Sequence, residues 1–142
     1  MNQPDVIIAG AGPVGLVAAN LLADEGASVL LLEAEDKLPT NLRASTFQSS
    51  TLDMIERFGV NGRLIEQGVV SPRMQYRDRS GWFAEFDFAS LKNDTNHPFR
   101  LQCEQHKLCE LLLKRLESRP NAQVLFSARA ETASQSESQV KL

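Results

Sequence analysis

Asp5-Val6-Ile7-Ile8-Ala9-Gly10-Ala11-Gly12-Pro13-Val14-Gly15 sets a short β-branched apolar run directly against a G-x-G-x-x-G motif. Such a run, ending at glycine, predicts a strand buried on both faces, as in a parallel sheet. Val14, Leu16, Val17, Leu21 and Leu22 then recur at helical spacing up to Gly26, and Ser28 to Leu32 is a second apolar run. Strand, glycine turn, helix and strand in this order make a βαβ unit with an expected right-handed crossover. A parallel α/β sheet with flanking helices follows as the fold class.

In that context each part of the motif has a task. Gly10 permits the tight turn, Gly12 lets the backbone approach a pyrophosphate, and Gly15 lets the helix pack against the strand. Pro13 suits the first helical turn, where its missing N–H costs nothing. The turn, which also contains Ala11 and Val14, and the start of the helix offer free N–H groups and a helix dipole to a diphosphate. Glu33 closes the second strand 18 residues past Gly15, where an acid can accept from ribose hydroxyls. Its carboxylate repels a 2′-phosphate, so the ligand reads as FAD or NAD rather than NADP.

The chain has 142 residues, one domain's length, with an ordinary apolar and charged content that supports one core and excludes wholesale disorder. Lys and Arg number 15 against 18 Asp and Glu, a net charge of −3 without a basic block, which speaks against nucleic acid as a partner. No cationic leader precedes the first strand and no apolar run approaches membrane-spanning length, so a cytoplasmic protein with no membrane partner is expected. Cys103 and Cys109 suit neither a disulfide framework nor a metal site and read as reduced packing thiols. His97 and His106, isolated in sequence, read as surface or packing residues, and no metal site is expected.

Pro39 to Gln48 is polar and aperiodic. Ser50-Thr51-Leu52-Asp53 predicts a helix opened by a capping box and closed at Gly59, with Leu52, Ile55 and Phe58 buried. Met74–Arg77 and Trp82–Phe88 predict a β-hairpin about the Asp78–Gly81 turn, inserted in the crossover. In it Trp82, Ala84, Phe86 and Phe88 share one face, read as core first and substrate wall second. Phe99 to Gln102 predicts a short strand. Glu104 to Glu117 predicts a helix with Leu108, Leu111, Leu112 and the Arg115 stem inward. Pro120 and Asn121 end it, and Ala122–Ala128 predicts a third parallel strand, with Arg129–Ala133 leading into a new antiparallel element. Ser134–Gln139 reads as a solvated turn before another strand opens at Val140.

Three motifs in order, Gly10 to Leu16, Arg43-Ala44 ahead of the first of these helices, and Arg100-Leu101-Gln102-Cys103-Glu104 ahead of the long one, resemble the single-component FAD-dependent aromatic hydroxylases. That group includes the para-hydroxybenzoate and phenol hydroxylases, and the resemblance covers nearly the whole chain. It implies a Rossmann-like FAD-binding domain, with Arg43 at the flavin's diphosphate and ribityl region and Gln102 on its flavin side. Ala34 departs from the many relatives that carry Arg directly after the ribose-binding acid. The family's later Asp-Gly and Gly-Asp motifs are not found here, so the chain reads as the N-terminal part of such a domain, apparently truncated.

For the whole protein the resemblance implies FAD reduced by NAD(P)H, and O₂ as the source of an oxygen atom placed on a small, phenol-like aromatic substrate. It leaves room for a homodimer. No catalytic acid or base can be named from these residues, since those facing the ring in relatives lie mostly beyond Leu142. Alone, residues 1–142 are expected to aggregate and to hold FAD poorly. The same residues also fit another FAD oxidoreductase, such as a reductase or halogenase, or a non-catalytic nucleotide-binding remnant.

Overall fold

A computed structural model of the chain describes residues 3–41 and 44–142, with Trp82 described by its backbone alone. In chain order the elements are β1 (Val6–Ala9), α1 (Pro13–Asp24), β2 (Val29–Leu32), β3 (Thr46–Phe47), α2 (Ser49–Glu56), α3 (Asn61–Glu66), β4 (Val69–Ser71), β5 (Arg73–Asp78), β6 (Gly81–Asp87), a 3-10 turn (Phe88–Leu91), β7 (Arg100–Gln102), α4 (Gln105–Glu117), β8 (Ala122–Leu125), β9 (Ser134–Gln135) and β10 (Val140–Lys141). They divide into two compact units, one of residues up to Thr40 and from Cys109 onward, the other Asn41–Leu108.

The first unit holds the expected parallel sheet, in the order β1-β2-β8, with Val6 opposite Val29 and Val29 opposite Ala122. Val29 and Leu31 are fully buried, but β1 is not buried on both faces. Val6 and Ile8 are half-buried while Ile7 and Ala9 are exposed, the alternation of a strand covered on one side. β8 stops at Leu125 rather than Ala128, because Ser127 takes a left-handed φ of 52° that no ladder accommodates. The expected element at Arg129–Ala133 has no regular structure. The next ladder is the two-residue β9–β10 pair, closed by Ser136 N–H to Gln139 O.

Asn20 explains how a polar residue sits mid-helix in α1 with no exposure. Its Nδ2 donates to Leu16 O (2.8 Å) and to Leu112 O of α4 (3.1 Å), and its Oδ1 accepts from Arg115 Nη1 at 2.9 Å. Arg115 also forks onto Asp24 at 3.0 and 2.8 Å, joined there by Arg119 at 2.7 Å. Spacing points only the Arg115 stem inward, whereas the guanidinium itself ties α4 to α1. Leu108, Leu112 and Leu116 are buried, and Leu111 only half so. Asn121 closes the return by donating to Ala23 O and Ala27 O.

In the second unit β7 is the centre of a β3-β7-β4 antiparallel sheet. β3, α3 and β4 are too short to leave a period in the sequence. The predicted hairpin is present as β5 and β6, with Asp78 Oδ1 accepting from the Ser80 N–H and hydroxyl, and Gly81 at φ +129°. Its aromatic face is only partly core: Phe88 is buried in the 3-10 turn, edge-on to Phe86 at 5.0 Å, while Phe86 is 39% exposed.

The capping box does not form. α2 begins at Ser49, its N-cap Gln48 makes no side-chain bond, and Asp53 turns elsewhere. Asp53 Oδ1 accepts from Thr95 Oγ1 (2.8 Å) and pairs with His97 Nδ1 at 2.7 Å. Asn61 Nδ2 donates to Leu52 O and meets His97 Nε2 at 3.0 Å, so Nε2 accepts and the ring proton sits on Nδ1, facing Asp53. His97 is therefore a buried packing residue, edge-on to Phe99. Leu52, Ile55 and Phe58 are buried as expected and Gly59 ends the segment at φ +68°.

The bonds from His97 and Thr95 hold the Asp53 carboxyl below its ordinary value of 3.8. A depressed acid stabilises the fold above its unfolded pKa and loses that contribution as pH falls through the folded one. Asp53→Ala in the full-length protein is expected to cost about 1–3 kcal/mol at neutral pH, since it strands the buried His97 N–H. Denaturant unfolding at pH 7 and below pH 3.8 checks this, the difference from wild type shrinking at the lower pH. Cys103 and Cys109 are buried free thiols, and burial pushes both up, Cys109 to about 11, in keeping with a packing role.

Candidate nucleotide site

The glycine turn is built from both ends of the βαβ unit. Gly10, at φ +101°, donates its N–H to Leu32 O at 2.7 Å and so fastens the turn to the exit of β2. Ala11 is completely buried, and its N–H donates to Glu33 Oε2 at 2.8 Å, so it is not one of the free N–H groups expected for a diphosphate. Gly12 is the N-cap of α1 and Pro13 follows in the first turn; the cap has no side-chain hydrogen bond, and the first helical bond runs from Leu16 N–H to Gly12 O. Helix N-terminal N–H groups without an internal acceptor favour an anion. Val14 is 81% exposed, so its side chain adds nothing to the packing of the turn.

The three motif glycines have different reasons. A Cβ on Gly15 would stand 2.0 Å from the Gly10 carbonyl oxygen, which makes Gly15 a condition of the helix lying against the turn. Gly10 is required by its positive φ. Gly12 has a φ of −71° and nothing within 4 Å of the place a Cβ would take, so nothing among the described residues demands glycine there.

Glu33 stands at the end of β2 as expected, with a contact that spacing does not reveal. Besides the Ala11 N–H, its other oxygen accepts from Glu35 N–H at 3.1 Å. The carboxylate thus braces the glycine turn and keeps lone pairs for a further donor. Gly10 to Gly15 and Glu33 lie together in the first unit. Gln102 belongs to the second, in β7, half-buried, with Oε1 accepting from Thr46 Oγ1 at 2.9 Å. Its amide NH₂ has no partner among the described residues. Thr46 was missed because a two-residue strand in a polar segment gives no sequence signal. Arg43 lies outside the described residues.

Among the described residues, Asp53, Glu56 and His97 are the one group whose ligand atoms gather closely enough, within 4.8 Å of one another, to hold a metal ion. The His97 nitrogens are already committed to Asp53 and Asn61, which is the work of a structural clamp. No helix among the described residues is long and apolar enough to cross a membrane.

Residues 3–142 match the family described as FAD binding domain. The chain belongs to this family, and its resemblance to the FAD-dependent aromatic hydroxylases is borne out in sequence and fold. It is 30% identical over 138 residues to a para-nitrophenol 4-monooxygenase of a Pseudomonas species, covering 96% of this chain and 34% of that protein. A 6-hydroxy-3-succinoylpyridine 3-monooxygenase of Pseudomonas putida is 34% identical over 124 residues, or 87% of this chain and 32% of the relative. The crystal structure of a p-nitrophenol 4-monooxygenase from Pseudomonas putida superposes with a TM-score of 0.88 at 29% identity, covering 94% of this chain and 34% of that one. The chain thus spans about a third of the length of these relatives.

Proposed function

We propose that these residues hold the ADP half and part of the flavin half of FAD in a monooxygenase. On this reading the whole protein uses NADH or NADPH and O₂ to hydroxylate a small phenol-like aromatic compound. The observation that carries the reading is Gly12, a glycine that the chain does not need for itself but that a diphosphate laid over the start of α1 would. The cap of α1, free of any side-chain bond, supports the same placement. Glu33 would accept from the ribose hydroxyls, Arg43 would meet the diphosphate and ribityl region, and the Gln102 amide would meet the flavin. Bound FAD supplies the redox chemistry that no side chain offers; the residues named here bind it and set its orientation.

The names of the relatives, which are monooxygenases of phenolic and pyridine substrates, support this class of activity. The 142 residues are then the N-terminal part of the FAD domain, with the segments that complete it and cover the substrate outside them. A cytoplasmic location and a homodimer fit such an enzyme, with neither nucleic acid nor membrane as partner.

The test is the full-length protein purified and assayed with NADH and NADPH. Flavin absorbance, reduced-nicotinamide oxidation stimulated by a phenol, and a hydroxylated product carrying oxygen from O₂ are expected. Bound flavin with no oxygen transfer to any phenol tested would move the protein to another class of FAD oxidoreductase.

A further inference from the structure

β8 leaves the parallel sheet directly beside Glu33. Glu33 N–H donates to Leu125 O and Ala128 N–H donates to Glu33 O, both at 2.8 Å, while Ser127 N–H reaches Glu35 O at 2.9 Å. Ser127 makes this possible: it is the one non-glycine residue at positive φ among the described residues, and its turn sends two successive N–H groups back onto the exit of β2. The junction lies at the carboxyl ends of β2 and β8, the side on which open parallel sheets take their ligands. Arg129 comes next, with Nη2 3.8 Å from Glu35 Oε1 and the two side chains 66% and 67% exposed. An ion pair so long and so wet holds a guanidinium nearby without fixing it. Ala34 and Ala128, brought alongside by the bond to Glu33 O, carry only methyl groups.

We propose that Arg129 covers the adenine of FAD, its guanidinium stacked on the purine face above the strip formed by Ala34 and Ala128. The proposal rests on the reading that Gly10–Gly15 and Glu33 hold the ADP half. With the diphosphate at α1 and the ribose hydroxyls at Glu33, the base is directed past Glu33 onto the junction of residues 34 and 127–129. A planar, weakly hydrated guanidinium is suited to a purine face, and Arg129, four residues beyond the end of β8, stands beside the junction where the base would lie. Glu35 steadies it from behind.

The experiment is titration of the flavin-depleted full-length protein with FAD, with ADP, and with inorganic pyrophosphate as a competitor of ADP. Arg129→Ala is expected to weaken FAD and ADP by about two- to thirtyfold, the range for a cation on an aromatic face, and to leave pyrophosphate competition unchanged. Arg129→Lys should fall between. Equal losses for ADP and pyrophosphate would place Arg129 at the diphosphate and overturn the inference. Unchanged FAD and ADP affinity in Arg129→Ala, with Glu33→Ala still weakening both, would also overturn it while leaving the FAD reading intact. Wild-type protein that takes up neither FAD nor ADP would remove that reading itself.

Discussion

Gly15→Ala in the full-length protein is expected to cost both stability and flavin, whereas Gly12→Ala should cost flavin alone. The added methyl at position 15 meets the Gly10 carbonyl oxygen at 2.0 Å and its carbon at 3.2 Å, and these are backbone atoms of a turn already tied to Leu32. Helix and turn must separate by on the order of 1 Å, and overpacking of this kind typically costs about 1–3 kcal/mol or more. The separation also displaces the N–H groups of α1, so FAD affinity should fall with the melting temperature. The methyl at position 12 meets nothing within 4 Å. Its effect can come only through what approaches the turn from outside, and losing a charge-assisted contact there is worth about 1.5–3 kcal/mol, or roughly ten- to a hundredfold in affinity. Thermal unfolding and FAD titration of both variants decide the matter. A Gly12→Ala protein that binds FAD normally would mean that the diphosphate does not lie over the start of α1.

Glu33→Ala should weaken FAD by at least as much, because one carboxylate has two tasks. It removes the proposed acceptor for the ribose hydroxyls and also strands the buried Ala11 N–H. Ten- to a hundredfold weaker binding is expected, together with a loss of about 1–3 kcal/mol of stability from the stranded N–H. Glu33→Gln separates the two, since its amide oxygen can still accept from Ala11 while the charge is gone. Calorimetric titration should place its affinity between wild type and Glu33→Ala. Full retention of FAD in Glu33→Ala would reduce Glu33 to a brace of the turn.

The βαβ unit and the long helix were legible in the sequence because burial imposes its period over many residues, as Leu108, Leu112 and Leu116 illustrate in α4. What escaped was set by partners distant in sequence. The Ser50-to-Asp53 spacing predicts a capping box, yet Asp53 is claimed by His97 and Thr95, more than 40 residues away. Spacing alone singles out Glu33 at the end of β2, the residue proposed to accept from the ribose, but its hold on Ala11 depends on where β1 and β2 end relative to one another. β3 and β4 are recognisable only through their pairing with β7.

Bracing by Glu33 also has a kinetic side. With Gly10 N–H held by Leu32 and Ala11 N–H held by a side chain of the same sheet, the loop owes its shape to the protein alone. The entropy lost in ordering it falls on folding rather than on association, as in any preorganised receptor. On the proposed reading, a dinucleotide would meet a cradle already formed and would not wait for a loop to close, so changes that weaken its grip should show mainly as faster release and leave the rate of capture nearly untouched.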